Sequence, residues 1–235
     1  VRGVTEAHAL IDRLVDVAAG DAERAAALTA RANAALMAAD HPAGIAAAAE
    51  AGRHAASLDD PWLRFEAERL RAVGLAQAGR TTEALTLIEP WRARIDAGAN
   101  HEQRGRFWAD YAYVLNGARR LRDTAFALQQ ASALAQDAGD LAELATLTSN
   151  LATVRGNLGE LPEALSLARR ALGLQAQLGA TDGPEGAVVA TYVGLYCAMS
   201  GQYREALEHF DAAIDCFARD GQTMWQAVAG NHKAL

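Results

Sequence analysis

Lysine is almost missing from this chain. One lysine, Lys233, stands against 21 arginines in 235 residues. A phosphate-binding loop needs a Lys behind a glycine-rich lead to reach the β- and γ-phosphates. Lys233 sits in Gly230-Asn231-His232-Lys233-Ala234, which has no such lead, so nucleotide binding by that route is excluded. Kinase catalysis through a strand lysine is excluded as well. Schiff-base chemistry is confined to one residue near the chain end. The surplus of arginine reads as codon usage in a GC-rich genome. Cysteine is scarce too. Cys197 and Cys216 lie 19 residues apart, with no Cys-x-x-Cys pair and no His spacing for zinc. They read as buried small hydrophobes, not a disulfide framework. No apolar run approaches 18 residues, and no signal peptide is present, so no membrane span is expected and the expected compartment is the cytoplasm. The 22 basic and 29 acidic residues leave a net charge of -7, which argues against nucleic-acid binding by this segment.

What is present is alanine. About a quarter of the residues are Ala, 51% are apolar, and aromatics contribute only 6%. Ala has the best helix propensity, and its side chain loses no rotamer freedom on folding. The expected fold class is all-α, with helices approaching closely across small residues.

An internal repeat organises the chain. Asn150-Leu151-Ala152-Thr153-Val154-Arg155-Gly156-Asn157-Leu158-Gly159-Glu160-Leu161-Pro162-Glu163-Ala164-Leu165 recurs 42 residues later as Tyr192-Val193-Gly194-Leu195-Tyr196-Cys197-Ala198-Met199-Ser200-Gly201-Gln202-Tyr203-Arg204-Glu205-Ala206-Leu207. Earlier copies run through Gly79 to Leu85, Arg119 to Ala125 and Ala39 to Ile45. The equivalent positions Gly44, Ala84, Thr124, Ala164 and Ala206 are separated by steps of 40, 40, 40 and 42. In the third copy Arg119 replaces the turn glycine and Thr124 the small alanine.

A small residue (Ala152, Gly194), then Gly-x-Leu/Tyr-x-Glu-Ala-Leu, then a small residue seven positions on, resembles the tetratricopeptide repeat family over about residues 20–235. The resemblance implies an α-solenoid of antiparallel helix pairs wound into a right-handed superhelix. The period of about 40 is similar to the long-period arrays of MalT-like activators among bacterial multidomain regulators. About twelve helices are expected, over 4–19, 22–38, 43–57, 61–78, 82–97, 102–118, 122–138, 141–158, 161–178, 185–200, 203–219 and 222–235. The repeats then fall at about 21–59, 60–99, 100–139, 140–181 and 182–220. Residues 1–20 read as the second helix of a truncated repeat and 221–235 as the first helix of another, within one array over 1–235. Asp21, Asp60, Asp140 and Asp220 stand where they could cap the following helices.

No catalytic constellation emerges. The serines include no Gly-x-Ser-x-Gly elbow, and His8, His41, His54, His101, His209 and His232 include no His-Glu-x-x-His pair. Glu205, Glu208 and Arg204 read as a solvated ion-pair face. Trp62, Trp91, Trp108 and Trp225 read as packing residues, with ligand stacking as the alternative. No enzyme activity, cofactor or metal is expected.

The resemblance also implies a concave side lined by the first helix of each repeat. The residues placed there are Thr146, Ser149, Asn150, Thr153 and Asn157 from the fourth copy. The third supplies Arg106, Ala109, Tyr113 and Asn116, with Glu102 a turn earlier. The second supplies Glu66, Arg69, Val73 and Gln77. Asn33 and Met37 come from the first, and Thr191, Leu195 and Met199 from the fifth. Asn and Arg at such positions can hold a peptide backbone or a carboxylate; equally, an inner face meeting water must be polar. The expected role is a non-catalytic sensor or interaction module of a larger bacterial signal-transduction or transcriptional regulator, taking a peptide, a protein segment or a small inducer. A sensor array of a cyclase or histidine kinase, or a free-standing scaffold, is the alternative.

Overall fold

The computed structural model describes residues 2–234, with side chains from residue 9 onward. The expected alanine-driven helices are there. They are α1 (Arg2–Val17), α2 (Asp21–Met37), α3 (His41–Ala55), α4 (Pro61–Gln77), α5 (Thr81–Ile88), α6 (Arg92–Gly98), α7 (His101–Gly117), α8 (Leu121–Ala138), α9 (Leu141–Asn157), α10 (Leu161–Gln177), α11 (Pro184–Met199), α12 (Tyr203–Arg219) and α13 (Thr223–Lys233). No strand occurs among the described residues. The one expected helix that divides is 82–97. A 3-10 turn over Glu89–Trp91 separates α5 from α6. Pro90 is the cause, because it lacks an N–H and its ring collides with the carbonyl four residues back.

The turns repeat as regularly as the helices. Residues with left-handed φ stand at 39, 79, 159 and 201 inside the helix pairs, at 139, 179 and 221 between them, and at 119 where α7 ends. Each closes the same motif. The Arg119 N–H donates to the Asn116 carbonyl at 3.0 Å, and the Arg120 N–H to the Leu115 carbonyl at 3.0 Å. Glycine meets this conformation without strain. Ala39 (φ 59°) and Arg119 (φ 60°) adopt it regardless, so the helix-ending turn overrides local preference. A Cβ in this region costs roughly 1–2 kcal/mol, partly offset by glycine's greater unfolded-state freedom. Ala39→Gly and Arg119→Gly should therefore each stabilise the protein by about 0.5–1 kcal/mol, read as a raised midpoint in urea unfolding. An unchanged or lowered midpoint in both would contradict the strain.

Capping follows the sequence in part. Asp60 accepts from the Trp62 N–H at 2.8 Å and Asp140 from the Glu143 N–H at 3.0 Å. Asp40 caps α3 through the Ala43 N–H, and Asn100 forms a reciprocal capping box with Gln103. Asp21 and Asp220 do not cap. Asp21 lies inside the first turn of α2 and binds His54 and Ser57 instead, and Asp220 closes the end of α12.

The described chain forms two compact units, Val1–Arg120 and Leu121–Leu235. In the first, α2 packs on α3, α3 on α4, and the first helices of successive pairs touch, α2 with α4 and α4 with α7. In the second, α9 packs on α10, α10 on α11, α11 on α12, and α9 touches α11. Small residues twelve apart sit at the crossings of the pairs. Ala72 and Ala84 are fully buried, as are Ala152 and Ala164 within 1%. A Cβ on Gly44 would meet Leu36 at 2.6 Å, and one on Gly194 would meet Phe210 at 2.9 Å. Thr124, the sequence's departure from this pattern, is nonetheless buried. Both cysteines are buried and free.

The aromatic residues of the first unit cluster together. Phe107 stacks on Tyr111 at 5.2 Å and meets Trp108 at 5.1 Å, while Phe65 meets Trp91 at 5.3 Å. Trp91 and Trp108 are buried, which gives them the packing role; Trp62 and Trp225 are half-buried against Phe65 and Phe217.

Candidate functional site

The open faces of the first helices differ in kind between the two units. In the first unit, α4 and α7 carry a charged network. Arg69 is half-buried and donates to Glu66 of its own helix at 2.7 Å and to Asp110 of α7. Arg106 reaches Glu66 at 3.3 Å and Glu102 at 2.5 Å. Two guanidinium groups and three carboxylates leave a local charge of about -1, so no spare positive charge faces outward. Arg69 and Arg106, expected as candidates to hold a ligand carboxylate, are both ion-paired within the protein. Asp110 is absent from the residues expected on this face. Its signal is the Arg106–Asp110 spacing of four, which places the two on one helical face. Burial pushes the Asp110 carboxyl up against the pull of Arg69, while Asp110 and Glu66 raise Arg69 further. Around this network Asn33, Tyr113 and Asn116 are exposed. Glu66 and Gln77 are half-buried, and the Gln77 carbonyl oxygen is enclosed without a partner.

The second unit presents a face that is uncharged beyond the first turns of α9 and α11, where Glu143 and Glu185 stand. On α9, Thr146, Asn150 and Asn157 are exposed, with Ser149 and Thr153 half-buried. The Thr146 hydroxyl donates to the Ala142 carbonyl at 3.1 Å and the Thr153 hydroxyl to Ser149 at 3.2 Å. Asn150 and Asn157 make no hydrogen bond among the described residues. The repeat offset of 42 sets Tyr192, Leu195 and Met199 of α11 beside Asn150, Thr153 and Asn157. Thr191, expected on this face, is buried, and its hydroxyl donates to the Ala187 carbonyl at 2.9 Å. It corresponds to the half-buried Ser149, one position inward of the exposed row. Tyr192 takes its place on the face; adding 42 to Asn150 finds it.

Tyr196 holds these two helices in register. Its hydroxyl donates to the Ala152 carbonyl of α9 at 3.3 Å, and its ring occupies the space over Gly156, where a Cβ would come within 2.6 Å. Burial pushes the Tyr196 phenol up to about 12. An acid whose proton is held more tightly in the folded state supports stability below its unfolded value, near 10, and loses that support as pH rises to the folded value. Stability should therefore fall by about 2–3 kcal/mol between pH 10 and 12 from this group. Tyr196→Phe should flatten that part of a pH series of urea unfolding curves; an equal slope in both proteins would contradict it.

Other clusters do not assemble chemistry. His54 and Ser57 both bind Asp21, at 2.8 and 3.0 Å, but the serine hydroxyl faces the carboxylate and the His54 backbone carbonyl, not an imidazole base. Hydrogen bonds from His54 and Ser57 hold the Asp21 carboxyl below its usual range. Glu205 pairs with Arg169 of α10 at 2.7 Å, so it ties neighbouring helices together. No group of His, Cys, Asp or Glu among the described residues could hold a metal. The His8 side chain lies outside the described residues. No helix among the described residues is long and apolar enough to cross a membrane.

Comparisons with known proteins agree with this architecture. The tetratricopeptide repeat family model matches residues 143–219, the stretch that holds the uncharged face. No curated protein matches the sequence. Among solved structures, the chain is similar to a signal transduction ATPase with numerous domains and a tetratricopeptide repeat sensor, from Pyrococcus horikoshii. The TM-score is 0.84 at 12% identity, over 96% of this chain and 33% of that one. It is similar to BtubC (BKLC) from P. vanneervenii, with TM-score 0.76 and 17% identity over 94% of this chain and 90% of the other. It is also similar to a Rap protein complexed with competence and sporulation factor, with TM-score 0.71 and 13% identity over 93% and 60%. These likenesses establish a tetratricopeptide-like helical repeat fold.

Proposed function

We propose that this chain is a non-catalytic interaction or sensor module of a larger signal-transduction or transcriptional regulator, and that it takes a peptide or protein segment on the α9–α11 face. The observation that carries the reading is the pair of exposed amides, Asn150 and Asn157, unpaired on a face where the Thr146 and Thr153 hydroxyls are bonded to their own helix. An amide offers one donor and one acceptor side, which matches a peptide unit. The charged face of α4 and α7 lacks this property, because its guanidinium groups are already bound. The similarity to a signal transduction ATPase with a tetratricopeptide repeat sensor, a third of which the chain matches, supports the regulator context, as does that to a Rap protein complexed with competence and sporulation factor.

Selection of displayed eight-residue peptides against the chain tests the reading. Binders should be recovered whose affinity falls about tenfold or more in Asn150→Ala/Asn157→Ala, each lost amide contact contributing about 0.5–1.5 kcal/mol. Arg106→Ala should leave binding within about twofold, since screened rim charges contribute little. The far-ultraviolet spectrum and Tm of the Asn variant should be unchanged. Binders indifferent to the Asn pair would refute it.

A further inference from the structure

The α9–α11 face also carries the chemistry of its partner, an assignment that rests on this face being the binding surface proposed for the chain. We infer that it takes an uncharged, extended peptide segment whose large apolar side chain enters a cleft where α11 meets α12. Three observations converge on it.

First, charge is absent where it would be needed for a charged ligand. From Thr146 to Asn157 the exposed row of α9, and from Val188 to Met199 the adjoining row of α11, contain no Asp, Glu, Lys or Arg, in a chain that is 22% charged; Glu143 and Glu185 stand at the N-terminal ends of these rows, away from the cleft. Lys233, which borders the cleft, is paired with Asp211 at 2.5 Å, and Arg169 is paired with Glu205. A carboxylate or ammonium of the ligand placed between Asn150 and the cleft would lose water without gaining a counter-charge.

Second, the spacing of the free amides suits backbone recognition. Asn150 and Asn157 are seven residues apart on one helix, about 10.5 Å at 1.5 Å per residue. That separation matches roughly three residues of extended chain at about 3.3 Å each.

Third, the apolar row opens into a cavity. Leu195 and Met199 pass from the face into a cleft of about 420 Å³, which Tyr203, Leu207 and Phe210 also line. The volume lies within the roughly 300–1,000 Å³ of small-ligand sites. Met199, Tyr203 and Leu207 are 55%, 68% and 44% exposed. Large side chains this open, contiguous with unpaired amides, give an apolar side chain a place to leave water beside the backbone it belongs to.

The displayed-peptide library separates the partner's chemistry from the location of the face. The recovered consensus should lack charged residues and contain one Phe, Leu, Met or Trp. Affinity measured by fluorescence anisotropy should change by less than about twofold between 50 and 500 mM NaCl, since no ion pair is there to screen. Met199→Glu and Leu207→Glu, both at exposed positions, should each weaken binding about tenfold or more at unchanged Tm. Peptides that depend on Asn150 yet require a charged residue, and weaken about tenfold in 500 mM NaCl, would overturn the partner's chemistry and leave the face assigned. Peptides indifferent to both Asn150→Ala and Met199→Glu, or a library without binders, would overturn both.

Discussion

Phe107→Ala should destabilise the protein by about 3–5 kcal/mol. Phe107 is fully buried, stacked on Tyr111 and edge-on to Trp108, with Phe65 of α4 at 6.5 Å. Its neighbours are large rings on short, regular helices, and they cannot collapse into the space a phenyl leaves. The loss therefore combines the transfer of the ring from water with a cavity contribution. Phe65, Phe210 and Phe217 are buried to the same degree, but many other core positions are alanine, where a side chain buries far less area. Urea unfolding of Phe107→Ala and Ala135→Gly checks the contrast: the glycine variant should lose about 1 kcal/mol. A Phe107→Ala loss near 1 kcal/mol would mean that the ring cluster does not anchor this unit.

Arg69→Met should cost about 3 kcal/mol at neutral pH, although methionine fills similar space. The guanidinium binds Glu66 and Asp110, and removing it leaves two largely enclosed carboxylates facing each other. Arg106 reaches Glu66 but stands farther away, at 3.3 Å. Two signatures separate this from a packing defect. Asp110→Asn in the Arg69→Met background should recover a substantial part of the loss, because the unpaired charge is gone. The deficit should also shrink on acidification. Asp110 without its partner holds a proton above its unfolded value near 3.9, so the cost of the buried charge fades as pH falls toward that value. A deficit independent of both pH and Asp110 would show that Arg69 acts through packing alone.

Much of the fold was legible because its signals are local and repeated. The turn glycines, the paired small residues twelve apart and the short capped connections recur at near-equal steps, and each constrains the same helix pair. The break at Pro90 was not, because apolar spacing continues across it: Ala84, Ile88, Trp91 and Ile95 keep helical rhythm while the proline removes the hydrogen bond beneath them. The candidate site was legible in outline. Spacing alone places the inner-face residues of α9, and they emerge with accessible or partly accessible polar groups beside the buried leucines. What spacing could not supply was pairing. The spacing of four from Arg106 places Asp110 on the inner face of α7, but that Arg69 meets it across the gap between two helices is not contained in the period of either helix. Thr191 differs by a single step of rotation, about 100° on a helix, which separates a half-buried rim from the interior.

Ligand recognition by the neutral α9–α11 face, and not by the charged α4–α7 face, is tested most directly by titrating the 15N-labelled protein with a display-selected peptide. The side-chain amide resonances of Asn150 and Asn157 should shift, together with backbone amides around Tyr192, Leu195 and Met199, while Glu66, Arg69, Arg106 and Asp110 stay still. Shifts centred on α4 and α7, with the two asparagines unmoved, would contradict it.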